Sequence, residues 1–431
     1  MVRIKSIYLN PLYLLALIVI QAFILLILIM TWPPSPPVTL RFLVPSSSLI
    51  DWSSIKKEFE AKNPDIRLDI REGEATSNEL EGSYSNVLTT ATPYDLVYMD
   101  IIWVPKFAAN GWLMNLFDRI SEQELSEFSP GDVEGSKFQN KLYRIPFHSD
   151  VGLLYYRQDI LQRLRYNPPK TFQELLQLSQ KLQQEKLTFG NYIYIWQGWK
   201  YEGLVAMFLE VLQGYGGFWI EHGEVGLDCP EALQAIKFLR STIEREISPE
   251  IAMFSSDKEY SDAFTKGEAI FLRSWPYVWT EANAKNSAIA GKIGFTAMVA
   301  SNGKPVACRG GWGFGIARAT QHPQQAWQAI QFLTSEEVQR KFLLEKGYLP
   351  SRISLLKNPK IQNDERYKHF IKMANIVEQS ISRPSIPEYR QASDILQNHL
   401  MEALNLNRKK IPEEVMEAAA VETRKLLKNK D

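Results

Sequence analysis

The hydrophobic pattern of this chain begins with one long apolar run and then breaks into short alternating segments. Residues 12–32 are almost entirely apolar, with Gln21 as the main polar interruption. About 20 apolar residues are what a helix needs to cross the hydrocarbon core of a bilayer. Arg3 and Lys5 precede the run, and no acidic residue occurs before Asp51. The pattern therefore predicts a transmembrane helix that keeps its N-terminal end in the cytoplasm and places the rest of the chain outside.

Two interpretations of this apolar segment stay open: a signal peptide that is cleaved, and an anchor that is retained. A cleaved signal has a shorter apolar core and small residues at the cleavage site. This run is longer, and the proline-rich residues 33–37 follow it directly. No cysteine occurs before Cys229, which excludes a lipoprotein-type attachment. The anchor is the favoured prediction, and the prolines form a stiff spacer between the bilayer and the domain.

The segments that follow the spacer have the periods of an α/β domain. Residues 38–44, 66–70 and 94–100 alternate between apolar and polar positions and are rich in β-formers, which predicts strands. Residues 52–63 repeat apolar positions at the spacing of an amphipathic helix, and residues 104–109 are also helical in character. The order strand, helix, strand predicts a parallel sheet that is covered by helices.

Helical periods dominate the chain beyond residue 147. Thr171 and Glu174 form a capping-box pattern at the start of one of these helices. Strand character returns at residues 293–300 and 313–317. The predicted helices are residues 171–186, 203–212, 230–245, 323–333 and 335–345, with mostly helical sequence from residue 357 to the end. Beyond the anchor and spacer about 390 residues remain, which is more than one core usually holds and predicts two lobes.

Charge and composition narrow the possible functions. Lys and Arg together number 49, as do Asp and Glu, so the net charge is zero. Neither a nucleic-acid-binding protein nor an acidic disordered chain is indicated. The chain has 11 Trp, 18 Tyr and 21 Phe, and several Trp lie in polar stretches that contain glycine. Flat rings in such places suit the apolar faces of sugars.

The remaining chemical signals are weak. Cys229 and Cys308 are the only cysteines, and they would be able to pair in an oxidising compartment, although the sequence alone leaves this open. Two thiols and five scattered His give no metal-ligand spacing. The chain contains no nucleotide-binding loop, no zinc-protease motif and no serine-hydrolase motif. No cofactor or metal is predicted.

Several segments, in order, resemble the family-1 extracellular solute-binding proteins of ABC transporters, and the trehalose/maltose-binding type in particular. Among them are YDLVYMDIIW, SWPYVW and GGWGFGIA. The similar segments are residues 94–118, 140–161, 192–204, 214–217, 262–279, 310–317, 332–352 and 381–393. Each segment alone is weakly specific. The segments occur over residues 38–407 in the same order as in that family, which makes chance similarity a poor explanation.

The resemblance implies a fold. It is the two-lobe periplasmic-binding-protein fold of class II, like that of maltose-binding proteins, in which α/β lobes are joined by crossovers. The crossovers would fall near residues 147–150, 301–308 and 347–351. Residues 1–37 would form the anchor and spacer. Lobe 1 would comprise residues 38–147 plus 308–347, and lobe 2 residues 150–302 plus 351–425.

Candidate ligand contacts are expected at strand ends and crossovers, where planar polar groups bind hydroxyls and rings stack on sugar faces. Asp100 ends a predicted strand, where a carboxylate faces the cleft of such sheets, unless it only caps the next helix. The resemblance matches Asp150 with a sugar-binding carboxylate and places His148 where a Tyr is expected. That departure leaves room for another sugar or for pH-dependent binding. The alternative for both is a crossover cap without ligand contact.

Aromatic candidates flank the later crossovers. Trp275 and Tyr277 lie on either side of Pro276, and rings two residues apart share one side of an extended segment. The resemblance makes them a stacking wall. Gly311 would let the backbone approach the ligand, and Trp312 would be the facing platform. The alternative for these rings is ordinary core or hinge packing.

The last candidates are polar. Arg383 matches a sugar-contacting arginine, because its guanidinium fork can hold adjacent hydroxyls. A salt bridge at the lobe surface is the alternative. Weaker candidates are Ser47, Trp199, Glu202 and Arg309.

These expectations favour one function over two others. The first is a monomeric substrate-binding protein, tethered on the periplasmic face of the membrane, that delivers an oligosaccharide or sugar-like solute to ABC permease subunits with a separate ATPase. The second is a tethered sugar-sensing receptor without transport. The third is a glycoside hydrolase, which needs two carboxylates around one bond. Asp100 and Asp150 have the right chemistry for that, but no pattern marks a catalytic acid, so the chain is not predicted to be an enzyme.

Overall fold

The computed structural model describes most of the chain beyond the spacer. The described residues are 36–46, 52–90, 94–185, 192–250, 253–407 and 410–428, together with 13, 15–21 and 23. Most of the expected membrane segment, residues 12–32, thus lies outside the described residues. Among the residues that are described, no helix is long and apolar enough to cross a bilayer.

The strands are short and are distributed along the whole domain. They are β1 Val38–Pro45, β2 Ile66–Gly73, β3 Leu96–Asp100, β4 Lys137–Phe138, β5 Lys141–Leu142, β6 Ile145–Val151, β7 Leu153–Arg157, β8 Tyr192–Ile195, β9 Ile220–Glu221, β10 Glu224–Val225, β11 Ala269–Ser274, β12 Ile293–Ala297, β13 Arg309–Ile316 and β14 Leu349–Pro350.

Helices separate these strands and dominate the C-terminal part. They are Trp52–Lys62, Ser77–Leu88, Val104–Ala109, Glu122–Leu125, Pro130–Glu134, Gln158–Arg163, Phe172–Gln184, Glu202–Gly214, Pro230–Glu244, Asp257–Thr265, Val278–Ala282, Pro323–Leu333, Glu336–Lys346, Ile353–Leu356, Pro359–Gln362, Lys368–Glu378, Tyr389–Leu404 and Pro412–Lys428. Short 3₁₀ turns occur at Ile101–Trp103, Phe117–Arg119 and Glu365–Tyr367.

Lobe 1 is built on a sheet with the strand order β14–β6–β13–β3, beside which β1 and β2 form a parallel pair. The Asp95 N–H donates to the Arg41 carbonyl at 2.9 Å and so holds β1 next to β3. Strand β13 is antiparallel to both β3 and β6. The predicted parallel sheet is therefore correct for β1 and β2 but wrong for the centre of this lobe. A strand that returns from the far end of the chain is invisible to a local pattern.

Lobe 2 is built on a second sheet with the order β12–β7–β11–β8. Strand β11 is parallel to β8 and antiparallel to β7. Helix Phe172–Gln184 flanks this sheet and begins as the capping box predicted, because the Thr171 hydroxyl accepts from the Glu174 N–H at 3.1 Å. Helices Tyr389–Leu404 and Pro412–Lys428 pack on each other and on the other helices of this lobe.

The chain passes between the two sheets at three places. It crosses from β6 to β7 at Gly152, returns between β12 and β13, and leaves lobe 1 again after β14. The first two crossings touch, because the Gly152 N–H donates to the Cys308 carbonyl at 3.1 Å. These crossings form the hinge between the lobes.

A buried ion pair lies against this hinge. Arg273 Nη2 and Nε lie 2.7 and 2.8 Å from the two carboxylate oxygens of Glu210, and both side chains are fully buried. Glu210 also accepts from the Cys308 N–H at 2.8 Å. A β-carbon at position 152 would lie 1.7 Å from a Glu210 oxygen, so only glycine fits at this crossing. The pair therefore connects a lobe 2 helix and strand with both crossings.

The two cysteines are free thiols, so no disulfide joins them. Cys308 is buried at the second crossing, and burial raises the pKa of its thiol to about 12. The thiol consequently stays protonated at physiological pH and behaves as a small apolar side chain.

The titration of His369 gives a pH-dependent stability. Its ring stacks on Trp279 with the ring centres 4.8 Å apart, and burial lowers its pKa to about 4. Between about pH 6.5 and pH 4 the unfolded chain binds a proton at this position and the folded protein does not, so stability falls as pH falls through this range, by about 3 kcal/mol. We expect His369→Phe, which keeps a ring, to flatten this slope in thermal unfolding measured across the range. An unchanged slope in the variant would contradict the assignment.

Candidate ligand-binding cleft

A cleft with a cavity volume of about 210 Å³ lies between the two lobes. Its walls include eight of the predicted contact residues and one of the weaker candidates. They are Asp100, His148, Asp150, Trp275, Tyr277, Gly311, Trp312 and Arg383, with Glu202. The structure thus places these side chains around one space, and their contact with a ligand stays a prediction.

A row across the sheet of lobe 1 builds the first wall. Trp312 on β13 lies directly opposite Asp100 on β3 and His148 on β6. Residues that lie opposite each other in paired strands project from the same face. A bulge follows Trp312, where the register to β6 shifts by one residue. This row explains how three residues that are far apart in the sequence come to line one surface.

Glycine is required beside this row. Gly311 has a φ of +139°, which side-chain-bearing residues rarely adopt, and a β-carbon there would lie 2.9 Å from the His148 carbonyl oxygen. A β-carbon on Gly310 would lie 3.5 Å from the Trp275 ring of lobe 2. Without side chains at these positions, the backbone of lobe 1 and a ring of lobe 2 approach each other closely.

The Trp312 ring is held from below by a second ring. Tyr98 stacks on it with ring centres 5.0 Å apart and an interplanar angle of 27°. The Tyr98 hydroxyl lies 3.1 Å from His148 Nε2. Burial raises the pKa of Tyr98 well above its ordinary value, so its hydroxyl stays protonated. Trp312 itself is only half-buried and offers its other surface to the cleft.

The wall of lobe 2 carries the segment that follows β11. The buried Tyr155 hydroxyl donates to the Trp275 carbonyl at 2.9 Å and so fixes this segment. The Arg273 guanidinium lies under the Trp275 ring, 4.4 Å from its centre. Tyr277 begins the next short helix, Val278–Ala282, and lines the same wall.

Polar groups surround the rings. Asp150 Oδ2 lies 3.4 Å from His148 Nδ1. Asp257, from lobe 2, accepts from the Tyr201 hydroxyl at 2.5 Å and from the Gln197 side chain. Burial raises the pKa of Asp257, although these two donors lower it. The cleft therefore combines flat apolar surfaces with carboxylates, as the binding of a hydroxyl-rich ligand requires.

Arg383 joins the two sides of the cleft. Its Nη2 lies 3.1 Å from Asp100 Oδ1 in lobe 1, and its Nη1 lies 2.9 Å from Glu202 Oε1 in lobe 2. Glu202 also accepts from the hydroxyls of Tyr389 and Ser393. Burial raises the pKa of Glu202, while the Arg383 charge lowers it. In this structure the arginine fork holds two carboxylates, so it is a bridge between the lobes as well as a surface of the cleft.

Replacing this bridge should loosen the contact between the two sides of the cleft. Arg383→Met keeps the length of the side chain but leaves Asp100 and Glu202 buried without their cation. We expect the variant to open, with a larger radius of gyration in small-angle X-ray scattering and faster hydrogen exchange in the 3₁₀ turn Ile101–Trp103. Arg366→Met, at an exposed ion pair, is the control that should change neither quantity. An Arg383→Met variant as compact as the parent would contradict the bridging role.

Of the four weaker candidates, Trp199 and Arg309 are occupied away from the cleft. Ser47 falls outside the residues that the structure describes. The Trp199 side chain packs on the apolar core of lobe 2. The buried Arg309 is bound by Asp132, at 3.0 Å, and by the Ser129 hydroxyl, so its fork is occupied away from the cleft.

Several lining residues were not predicted from the sequence. They are Tyr98, Tyr201, Asp257, Lys258, Glu281 and Tyr348, together with the hydroxyl groups at the starts of two helices. At one of these helix starts the sequence does contain a recognisable pattern. The Ser256 hydroxyl accepts from the Glu259 N–H, which is a capping box like the one recognised at Thr171. The other positions depend on how the lobes pack, and no local pattern marks them.

Comparison with known proteins identifies the class. Residues 46–340 match the family of bacterial extracellular solute-binding proteins, and the chain belongs to that family. The resemblance inferred from the sequence is confirmed. The members are solute-binding proteins, so the chain is a binding protein and not an enzyme, and it works outside the cytoplasm.

Two relatives illustrate the similarity in sequence. The chain is 29% identical over 313 residues to a protein of Deinococcus radiodurans described as a probable ABC transporter-binding protein, covering 70% of this chain and 73% of the relative. It is 24% identical over 320 residues to the maltotriose-binding protein of Pyrococcus abyssi, covering 73% and 66%.

Solved structures show the same two-lobe architecture. The maltose-bound MalE3 of T. maritima superposes with a TM-score of 0.83 at 30% identity, covering 90% of this chain and 100% of that one. An ABC transporter solute-binding protein of Thermotoga lettingae, bound to α-D-tagatose, superposes with a TM-score of 0.79 at 26% identity, covering 91% and 100%. The predicted two-lobe fold is confirmed, whereas the N-terminal transmembrane helix stays a prediction.

Proposed function

We propose that this protein is the substrate-binding component of an ABC importer and captures an oligosaccharide or a sugar-like solute between its lobes. The lobes, taken as residues 38–147 plus 308–347 and 150–302 plus 351–425, would close on the ligand. A permease with a separate ATPase would then receive it. Binding energy that is available only in the closed form is what shifts such a protein toward closure.

The observation that carries this proposal is the pair of aromatic walls on the two sides of one cleft. Trp312, on Tyr98, belongs to lobe 1, and Trp275 and Tyr277 belong to lobe 2. A ligand that stacks on both walls gains most when the lobes close. The relatives support the choice of ligand, because one is named for maltotriose and one structure holds maltose.

Hydrogen bonding would supply orientation. Asp150 offers carboxylate oxygens from the first crossing, and Ser256 offers a hydroxyl from the start of a helix. A carboxylate accepts from adjacent sugar hydroxyls, and a serine can donate or accept. Together with stacking, such contacts are sufficient for micromolar or tighter affinity, about 8 kcal/mol or more.

Calorimetric titration of the purified protein with disaccharides, oligosaccharides and polyols tests the proposal. We expect at least one of these to bind with micromolar or tighter affinity. No binding across the panel would overturn it. Deleting the gene and measuring uptake of the ligand separates import from sensing, because a sensing receptor leaves uptake intact.

We also propose that residues 12–32 tether the domain to the membrane. The support is the apolar sequence, its basic flank and the prolines that follow. The mature protein should keep Met1 and sediment with membranes. Soluble material whose N-terminus lies near Val38 would contradict the tether without affecting the binding proposal.

A further inference from the structure

The charges that line the cleft are unbalanced. Its cationic side chains are Lys258 and Arg383. Arg383 is already shared between two carboxylates of the wall, and Lys258 pairs with Asp262, which does not line the cleft. The lining carboxylates are Asp100, Asp150, Glu202, Asp257 and Glu281.

Three of these carboxylates lack a cationic partner of their own. In the part of the chain that the structure describes, no lysine or arginine forms an ion pair with Asp150, Asp257 or Glu281. The imidazole of His148 lies beside Asp150, with Nδ1 3.4 Å from Asp150 Oδ2. Asp257 is held by neutral donors, a tyrosine and a glutamine.

Carboxylates that share a poorly solvated space repel one another. Burial is the main cause that raises the pKa of Asp257; the Tyr201 and Gln197 donors and the more distant charge of Arg273 lower it, and the charge of Asp150 raises it. Burial also raises the pKa of Glu281, while the Ser261 hydroxyl and the nearby charge of Lys258 lower it. A neutral ligand that fills the cleft removes water from these carboxylates without supplying a positive charge. A cationic ligand supplies that charge and so offsets the lost hydration.

The rings of the cleft fit the same kind of ligand. Trp275, Tyr277 and Tyr201 line the side of lobe 2 from which Asp257 projects. An ammonium group is attracted to the faces of Trp and Tyr rings as well as to carboxylates. The Ser256 hydroxyl accepts from the Glu259 N–H and can still donate its own proton to a hydroxyl group of a sugar.

We infer that the ligand is an amino sugar: a glycoside or oligosaccharide with a protonated amine that binds among Asp150, Asp257, Glu281 and the rings beside them. This inference rests on the proposed function and narrows its ligand class. A sugar of the same shape without the amine would bind to the same walls but would leave the carboxylates unneutralised.

Matched pairs of ligands test the inference. One pair is cellobiose and the β-1,4-linked disaccharide of glucosamine, and the other is trehalose and 2-amino-2-deoxytrehalose. Calorimetry at neutral pH should show that the amino member of at least one pair binds at least about tenfold more tightly than its neutral partner. The advantage should shrink between about 0.05 M and about 0.5 M NaCl, because salt screens the attraction.

Two variants locate the effect. Asp257→Asn and Glu281→Gln keep the shape of each side chain and remove its charge, and each should reduce the advantage of the amino member severalfold without weakening the neutral partner to the same extent. Glu221→Gln, at an exposed position of the β9–β10 hairpin, should leave both affinities unchanged. Two separate variants keep the test valid if one of them fails to fold.

The outcomes separate this inference from the proposed function. Neutral members that bind as tightly as the amino members, or only neutral sugars binding in the wider panel, would overturn the inference and leave the proposed function standing. No binding by any sugar would overturn both. An advantage that persists unchanged in Asp257→Asn and Glu281→Gln would also overturn the assignment of the amine site.

Discussion

Trp312→Ala should lower the affinity for the sugar ligand by about a hundredfold or more. The ring lies half-buried on Tyr98 and forms the lobe 1 platform of the cleft. Truncating a central aromatic side chain of a binding site commonly costs about 2 to 4 kcal/mol, and each 1.4 kcal/mol is about tenfold in affinity. Calorimetry with the tightest ligand of the panel measures the change. Trp275→Ala, on the facing wall, should give a loss of similar size.

Matched tryptophans outside the cleft serve as controls for these two variants. Trp327 lies in helix Pro323–Leu333 of lobe 1 and packs partly buried on its core. Trp279 packs in lobe 2. Trp327→Ala and Trp279→Ala should change affinity less than about threefold while lowering stability. Folded Trp312→Ala and Trp275→Ala variants that bind every sugar as tightly as the parent would contradict the role of the walls.

Glu210→Gln should lower the free energy of unfolding by about 3 to 5 kcal/mol. The substitution leaves the fully buried Arg273 with its positive charge unpaired, and breaking a buried pair from one side costs about this much. The same glutamate also binds the Cys308 N–H at the hinge. Urea-induced unfolding, followed by circular dichroism, measures the loss.

A second substitution separates charge from packing at this hinge. Adding Arg273→Met to Glu210→Gln removes the unpaired charge and should recover part of the lost stability. Asp364→Asn, which breaks the exposed pair with Arg366, should change the stability little, because solvent screens this pair. A Glu210→Gln variant that is no less stable than Asp364→Asn would contradict the contribution of the buried pair to stability.

Local patterns predicted much of the fold. The alternation in β1 and β2 and the capping box of helix Phe172–Gln184 depend on neighbours in the sequence, and both appear as expected. The antiparallel strand β13 could not be predicted in the same way, because its partners β3 and β6 lie far earlier in the chain. Sheet order is decided by contacts between distant segments, which one sequence does not display.

The candidate site was predictable where the resemblance supplied positions. Asp150, Trp275 and Trp312 were placed in the cleft on that basis, and the structure brings them together there. For Arg383 the sequence suggested a salt bridge at the surface as the alternative to ligand contact. It did not indicate that the partners of Arg383 are buried and lie in both lobes. Asp257 was missed, because a carboxylate at a helix start is an ordinary feature until the lobes pack.

The most direct test of the account is a crystal structure of the protein with the tightest ligand of the panel. The account predicts a sugar ring between Trp312 of lobe 1 and Trp275 of lobe 2, with a carboxylate of Asp150 within hydrogen-bonding distance of the ligand. Density for the ligand outside the cleft, or in the cleft without contact to either ring, would contradict it.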